Sequence, residues 1–259
     1  MDATLIAVAA TWGALTGMLL PRAAYRLSVE PDEPWRDACP SGHPISGVAG
    51  GWFGSARCAS CAVAVTPVTP AATPGVATTS VPYRPSVAVP LVTAAACAAL
   101  AAATGARPEL VVWVLLAPVA VLLTLVDRRV HRLPDQLTLP LAAAAAVLLG
   151  LAGLLPAAGG SWTSALLGGL ALGSGYLTLF LIHPAGMGFG DVKLALSLGT
   201  MLGWYGWPVL LAGAFAGFLL GSLYGLGLIV LRLAGRRTAI PFGPFMIAGT
   251  LAGLLLGAS

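Results

Sequence analysis

Charge is what this sequence has least of. Only 8% of its 259 residues are Asp, Glu, Lys or Arg, and Lys193 is the single lysine. Soluble globular domains carry roughly a quarter charged residues, so that class is excluded. Cysteine is scarce as well: Cys39, Cys58 and Cys61 lie near the N-terminus and Cys97 stands alone in an apolar run. The Cys58-Ala-Ser-Cys61 spacing points to metal binding or redox use rather than a disulfide framework. The first 20 residues hold no basic residue, and Asp2 is their one charge. That argues for a retained first span rather than a cleavable signal. A net charge of +4, set mostly in loops, gives no reason to expect a nucleic-acid partner.

Apolar length is what the sequence does have. Its residues are 58% hydrophobic with a mean hydropathy of +0.91, and several runs approach the roughly 20 residues that cross a bilayer. The expected fold is all-α and polytopic, with about eight transmembrane helices near 3–20, 88–104, 109–126, 137–155, 162–183, 192–204, 209–231 and 241–257. Three parts follow: a first helix over 1–20, a polar insert over 21–87 and a membrane-embedded domain over 88–259. The loops after odd-numbered spans, with their flanks, hold every basic residue except Arg107. By the positive-inside rule those loops are cytoplasmic, which puts the insert on that side and fits an even number of spans.

Four acids border the apolar core after the second span: Glu109, Asp127, Asp135 and Asp191. A carboxylate next to hydrocarbon is costly, so each needs a reason. Glu109 falls at the opposite end of its span from the rest. Asp127 closes the third span and Asp191 opens the sixth, at matching depth on one face. Two carboxyls meeting there can share a proton, because two adjacent negative charges are costly. The ionised one can take a proton from water and the protonated one can donate to a scissile amide, which is general acid–base hydrolysis. Asp135 sits in Leu-Pro-Asp-Gln-Leu-Thr-Leu-Pro, a turn and helix start, and is expected to be structural or substrate-positioning. Asp191 ends Gly186-Met187-Gly188-Phe189-Gly190-Asp191, whose glycines allow another backbone or an extended substrate to come close. Lys193 is expected chiefly to mark the cytoplasmic side. His131 and His183 are given no role.

Three stretches together resemble the type IV prepilin peptidase family of GxGD intramembrane aspartic proteases. They are Asp127 with Asp135 eight residues on, Gly186 to Leu194, and Ala239-Ile240-Pro241-Phe242-Gly243-Pro244-Phe245. The resemblance covers roughly 90–257 and implies Asp127 and Asp191 as the catalytic acids. Gly188, Gly190, Asp135, Lys193, Pro241 and Gly243 are then the residues that position substrate. It implies prepilin-like membrane proteins as partners, cut at the cytoplasmic face just after a short basic leader, with the enzyme in the cytoplasmic membrane and in contact with the bilayer. No cofactor is needed for proteolysis. Many family members also N-methylate the product with S-adenosylmethionine, expected here only if that activity is retained.

The insert is similar to the family's zinc module but departs from it. Where two Cys-x-x-Cys pairs are usual, this chain has Cys39-Pro40-Ser41-Gly42-His43 and one intact pair. Cys39, His43, Cys58 and Cys61 would still make a tetrahedral Cys₃His zinc set. Two other readings stay open. A proton-coupled transporter would use the two aspartates as a relay, and an inactive membrane assembly protein would not need them.

Overall fold

The computed structural model describes residues 2–30, 33–63, 83–184, 186–233, 235 and 240–258. The helices are α1 (Ala3–Leu27), α2 (Val48–Gly51), α3 (Ala59–Val63), α4 (Ala88–Thr104), α5 (Glu109–Val130), α6 (Asp135–Gly153), α7 (Trp162–Ile182), α8 (Phe189–Gly203), α9 (Trp207–Val230) and α10 (Gly243–Ala258). There is no strand among the described residues. Ala38 and Pro44 form one isolated bridge. Five helices (α1, α5, α6, α7 and α9) are long and apolar enough to cross a membrane, and α4 and α10 are shorter apolar ones. With α8, a 15-residue helix largely buried among the others, these are the eight helices expected, so the chain is an all-α, multi-pass membrane protein. Large apolar side chains such as Leu91, Phe215 and Leu231 stay exposed on the outside of the bundle, as a lipid-facing surface requires.

Lipid gives apolar side chains no reason to leave it, so helices in a bundle are held by close packing of small residues. The most extensive pairings are α7 with α8, α1 with α4, and α9 with α10. A Cβ on Gly168 of α7 would lie 2.7 Å from the Gly199 carbonyl oxygen of α8, and one on Gly13 of α1 would lie 2.6 Å from that of Thr93 in α4. On α9, Gly213 and Gly217 face the backbone of α10 in the same way.

Helix α1 continues to Leu27, past the expected end of the first span at residue 20. The extra turns belong to the insert. Arg22 donates to the carbonyls of Ser46 and Ser55 at 3.1 and 3.2 Å. Arg26 donates to Gly50 at 2.7 Å and lies 4.1 Å over the Trp52 ring. Arg36 in turn donates to the Tyr25 carbonyl at 3.1 Å. Basic residues expected to mark a membrane side therefore also hold the insert onto α1.

Candidate active site

Two helix starts and one helix end converge below the bundle. Asp127 lies in the last turn of α5, which stops at His131 because that residue turns left-handed, with φ 49 and ψ 40, and its N–H closes on the Asp127 carbonyl at 2.8 Å. The chain then turns through Leu133 and Pro134 into α6. Asp191 is the third residue of α8, where its N–H donates to the Gly188 carbonyl at 3.0 Å and its Oδ2 accepts the Gly188 N–H at 3.3 Å. Oδ2 of Asp127 accepts the N–H of Gly243, the first residue of α10, at 3.0 Å. Each carboxylate thus sits at a helix N-terminus, where free N–H groups and the helix dipole favour negative charge.

Asp127 and Asp191 are 4% and 8% exposed, and they come from helices more than 60 residues apart in sequence. They line one open cavity of about 1060 Å³. Gly188, Gly190, Asp135, Lys193 and Pro241 line the same cavity, and Gly243 touches Asp127 from behind it. All eight residues singled out from the sequence are therefore brought together. Ala239 of the third motif lies outside the described residues.

Their surroundings separate them. A Cβ on Gly188 would meet little besides Asp191 Oδ2, at 3.5 Å, whereas one on Gly190 would come 2.9 Å from Leu133 Cβ. Gly190 is small because the turn after α5 packs against it, and Gly188 faces open space. Lys193 does more than mark a side: its Nζ lies 2.6 Å from Asp135 Oδ2, tying α8 to the start of α6. His131 and His183 line the cavity mouth. One feature escaped the sequence reading. Tyr176, Phe218 and Phe242 form an aromatic wall, with ring centroids 5.3 to 6.3 Å apart, and Phe218 and Phe242 face the cavity. Only Phe242 lay in a motif; the other two come from different helices with no local signal.

The insert presents a second cluster. One donor atom from each of Cys39, His43, Cys58 and Cys61 lies within 4.8 Å of the others. Cys39 Sγ is 3.7 Å from Cys61 Sγ, and His43 Nδ1 is 3.3 to 3.7 Å from the three sulfurs. Tetrahedral zinc–sulfur bonds of about 2.3 Å put neighbouring sulfurs about 3.8 Å apart, so the four donors fit a metal ion. The loop from Cys39 to His43 closes by the Cys39 N–H to the His43 carbonyl at 2.8 Å, and Gly42 takes the positive φ of 81 that the turn requires. Burial opposes ionisation of the Cys39 thiol, yet hydrogen bonds from the backbone at His43 and Ser41, then from the side chains of His43 and Cys58, bring it down to about 6. That favours the thiolate that binds metal. The cluster can hold a metal through its own donors, without a second Cys in the first loop.

Fold and site together define a class: a polytopic helical membrane protein with two buried aspartates at helix starts on a shared cavity. Residues 113–230 match the model of the type IV leader peptidase family. The chain is 40% identical over 159 residues to a prepilin leader peptidase/N-methyltransferase of Aeromonas salmonicida, covering 58% of this chain and 49% of that one. It is 41% identical over 152 residues to the Aeromonas hydrophila protein of that name, with the same coverage. For the Pseudomonas aeruginosa protein the identity is 36% over 149 residues, covering 55% and 47%. The chain thus spans about half the length of the curated relatives it matches. No solved structure matches it.

Proposed function

We propose that this chain is an aspartic endopeptidase of the cytoplasmic membrane that removes the short basic leader of prepilin-like proteins. The observation that carries this is the pair Asp127 and Asp191 on one open cavity, each accepting one backbone N–H from a described residue. A water between them loses a proton to the ionised carboxylate as its oxygen bonds to the scissile carbonyl carbon. The protonated carboxyl gives its proton to the amide as the C–N bond breaks. The two titrate as a unit, so base and acid belong to the pair. The aromatic wall suits an apolar segment of the substrate beside the scissile bond. The distribution of basic residues among the loops supports a cytoplasmic orientation of this cavity.

Residues 88–259 form the peptidase unit in this proposal, and 21–87 a module closed on itself by zinc on Cys39, His43, Cys58 and Cys61. Zinc there supplies folding energy and takes no part in cleavage. N-methyl transfer, named for the relatives, is not part of the proposal. The test is a leader-cleavage assay in membranes with a panel of prepilin-like substrates, comparing the wild type with Asp127→Asn and Asp191→Asn. Loss of cleavage in both variants is expected; normal processing by either one removes the enzyme reading. For the insert, about one zinc per chain is expected to co-purify, and Cys58→Ser to lower it. A metal-free wild type would reject the zinc reading.

A further inference from the structure

Away from the carboxylates, α4, α5 and α10 leave a second cavity of about 320 Å³ between them, floored by α8. Its lining is apolar except at Thr124, Thr250 and Arg128. One end lies at Ala88, Arg128 and Pro244, where α4 and α10 start and α5 finishes; the other lies at Leu100, Trp113 and Leu254. The cavity is therefore a groove along the helices, with one cation at its mouth. Arg128 is exposed and makes no hydrogen bond or ion pair with any described residue.

The groove's shape and charge decide what can fill it. Along α5 it runs from Trp113 to Arg128, about 22 Å at 1.5 Å per residue, between almost wholly apolar walls. A flexible hydrocarbon chain suits a long apolar groove of this kind, and a cation at its mouth suits an anionic headgroup. We propose that the groove holds one acyl chain of an anionic phospholipid, with its phosphate on the Arg128 guanidinium. A guanidinium engages phosphate oxygens through paired N–H donors, and the choice of an anionic headgroup follows from the unpaired positive charge. Arg128 follows Asp127, and Pro244 follows the glycine whose N–H holds Asp127. A lipid seated there braces the two helix ends that set that carboxylate.

Native mass spectrometry of the purified full chain tests this without reference to cleavage. Dioleoyl phosphatidylglycerol and dioleoyl phosphatidylcholine are titrated separately into the wild type, Arg128→Gln, Ala120→Phe and Ala96→Phe. The wild type is expected to retain one phosphatidylglycerol with about fivefold preference over phosphatidylcholine, the effect of one basic residue near an anionic headgroup. Arg128→Gln should bring the ratio to about one. Either Phe variant, filling the groove from a different wall, should lower retention of both lipids by about tenfold or more. Equal retention of the two lipids by the wild type, an unchanged ratio in Arg128→Gln, or full retention in both Phe variants would overturn the proposal. So would one-for-one displacement of the lipid by an added single-span prepilin-type peptide, since the groove would then take a helix.

Discussion

At one end of α5, Glu109 is wholly enclosed; at the other, Asp127 is buried but faces a cavity. The Gly159 N–H donates to both Glu109 oxygens, at 3.1 and 3.3 Å. The Tyr205 hydroxyl adds a third bond at 3.4 Å and itself accepts the Trp113 indole N–H at 3.2 Å. Among the described residues, Asp127 accepts one N–H on one oxygen, from Gly243. The same helix thus buries one carboxylate with three such bonds and one with a single bond. A buried acid in a membrane protein is by default a functional candidate. The contrast here narrows that rule: the carboxylate closed in by donors from Gly159 and Tyr205 has a structural account, and the one beside an open cavity is the functional candidate.

The largest expected effect breaks or keeps this contrast directly. Asp127→Asn and Asp191→Asn should each lower cleavage by about a thousandfold or more, roughly 4 kcal/mol of transition-state stabilisation. Glu109→Gln should leave cleavage by the folded enzyme within about threefold. If the Glu109 variant loses as much activity as either aspartate variant, the two ends of α5 do not differ as argued.

Two glycines sharpen the comparison, because each lies against one of the carboxylates. A Cβ on Gly243 would sit 2.8 Å from Asp127 Oδ2, and one on Gly159 would sit 2.5 Å from Glu109 Oε1. Gly243→Ala should push the carboxylate out of place and lower kcat by about ten- to a hundredfold, since an ångström of misplacement costs on that order. Gly159→Ala should instead lower the unfolding free energy, by about 1–3 kcal/mol for a disturbed buried acceptor, with kcat of the surviving enzyme unchanged. Activity loss in both, or stability loss in both, would remove the distinction.

Much of this site was legible in sequence because its chemistry is packed into short motifs. Asp191 with its glycines, Asp127 with its depth, and Pro241 to Gly243 each announce themselves by residue type, and the parity of the spans brings them to one face. The eight helices were legible because apolar length is a composition signal, and their bounds shifted where caps decide or, in α1, where the insert packs on its end. Helix α6 starts at Asp135 rather than 137, for example, because Pro134 permits nothing earlier. What the sequence could not show was partnership. Nothing near Lys193 names Asp135, 58 residues away, and nothing near Arg22 or Arg26 names the carbonyls they bind in the insert. Tyr176 and Phe218 sit among many apolar residues on lipid-like helices, and only the fold makes them a wall. The Cys39 to His43 loop departs from the usual pair of cysteines, and the sequence already offered His43 as the fourth donor; the fold brings its Nδ1 to 3.3 to 3.7 Å from the three sulfurs.

The smallest expected effect concerns that unannounced pair. Lys193 and Asp135 meet at 2.6 Å, but their side chains are 18% and 56% exposed, so solvent screens the attraction. Such a pair contributes about 1 kcal/mol at most. A double-mutant cycle on unfolding with Lys193→Met and Asp135→Asn should therefore give a coupling below that value. Cleavage kinetics separate the two roles the pair can have. If it only braces α8 against the turn after α5, both single variants shift kcat and KM equally and slightly, and the double variant is no worse than either. If Asp135 also meets the basic leader, its loss raises KM beyond what loss of Lys193 does, and the excess shrinks as salt is added. We expect the second pattern, because the exposed Asp135 carboxylate opens onto the cavity and Lys193 engages one of its two oxygens. Equal, salt-independent shifts in the two variants would reduce Asp135 to a brace and leave the aspartate pair as the site's working carboxylates.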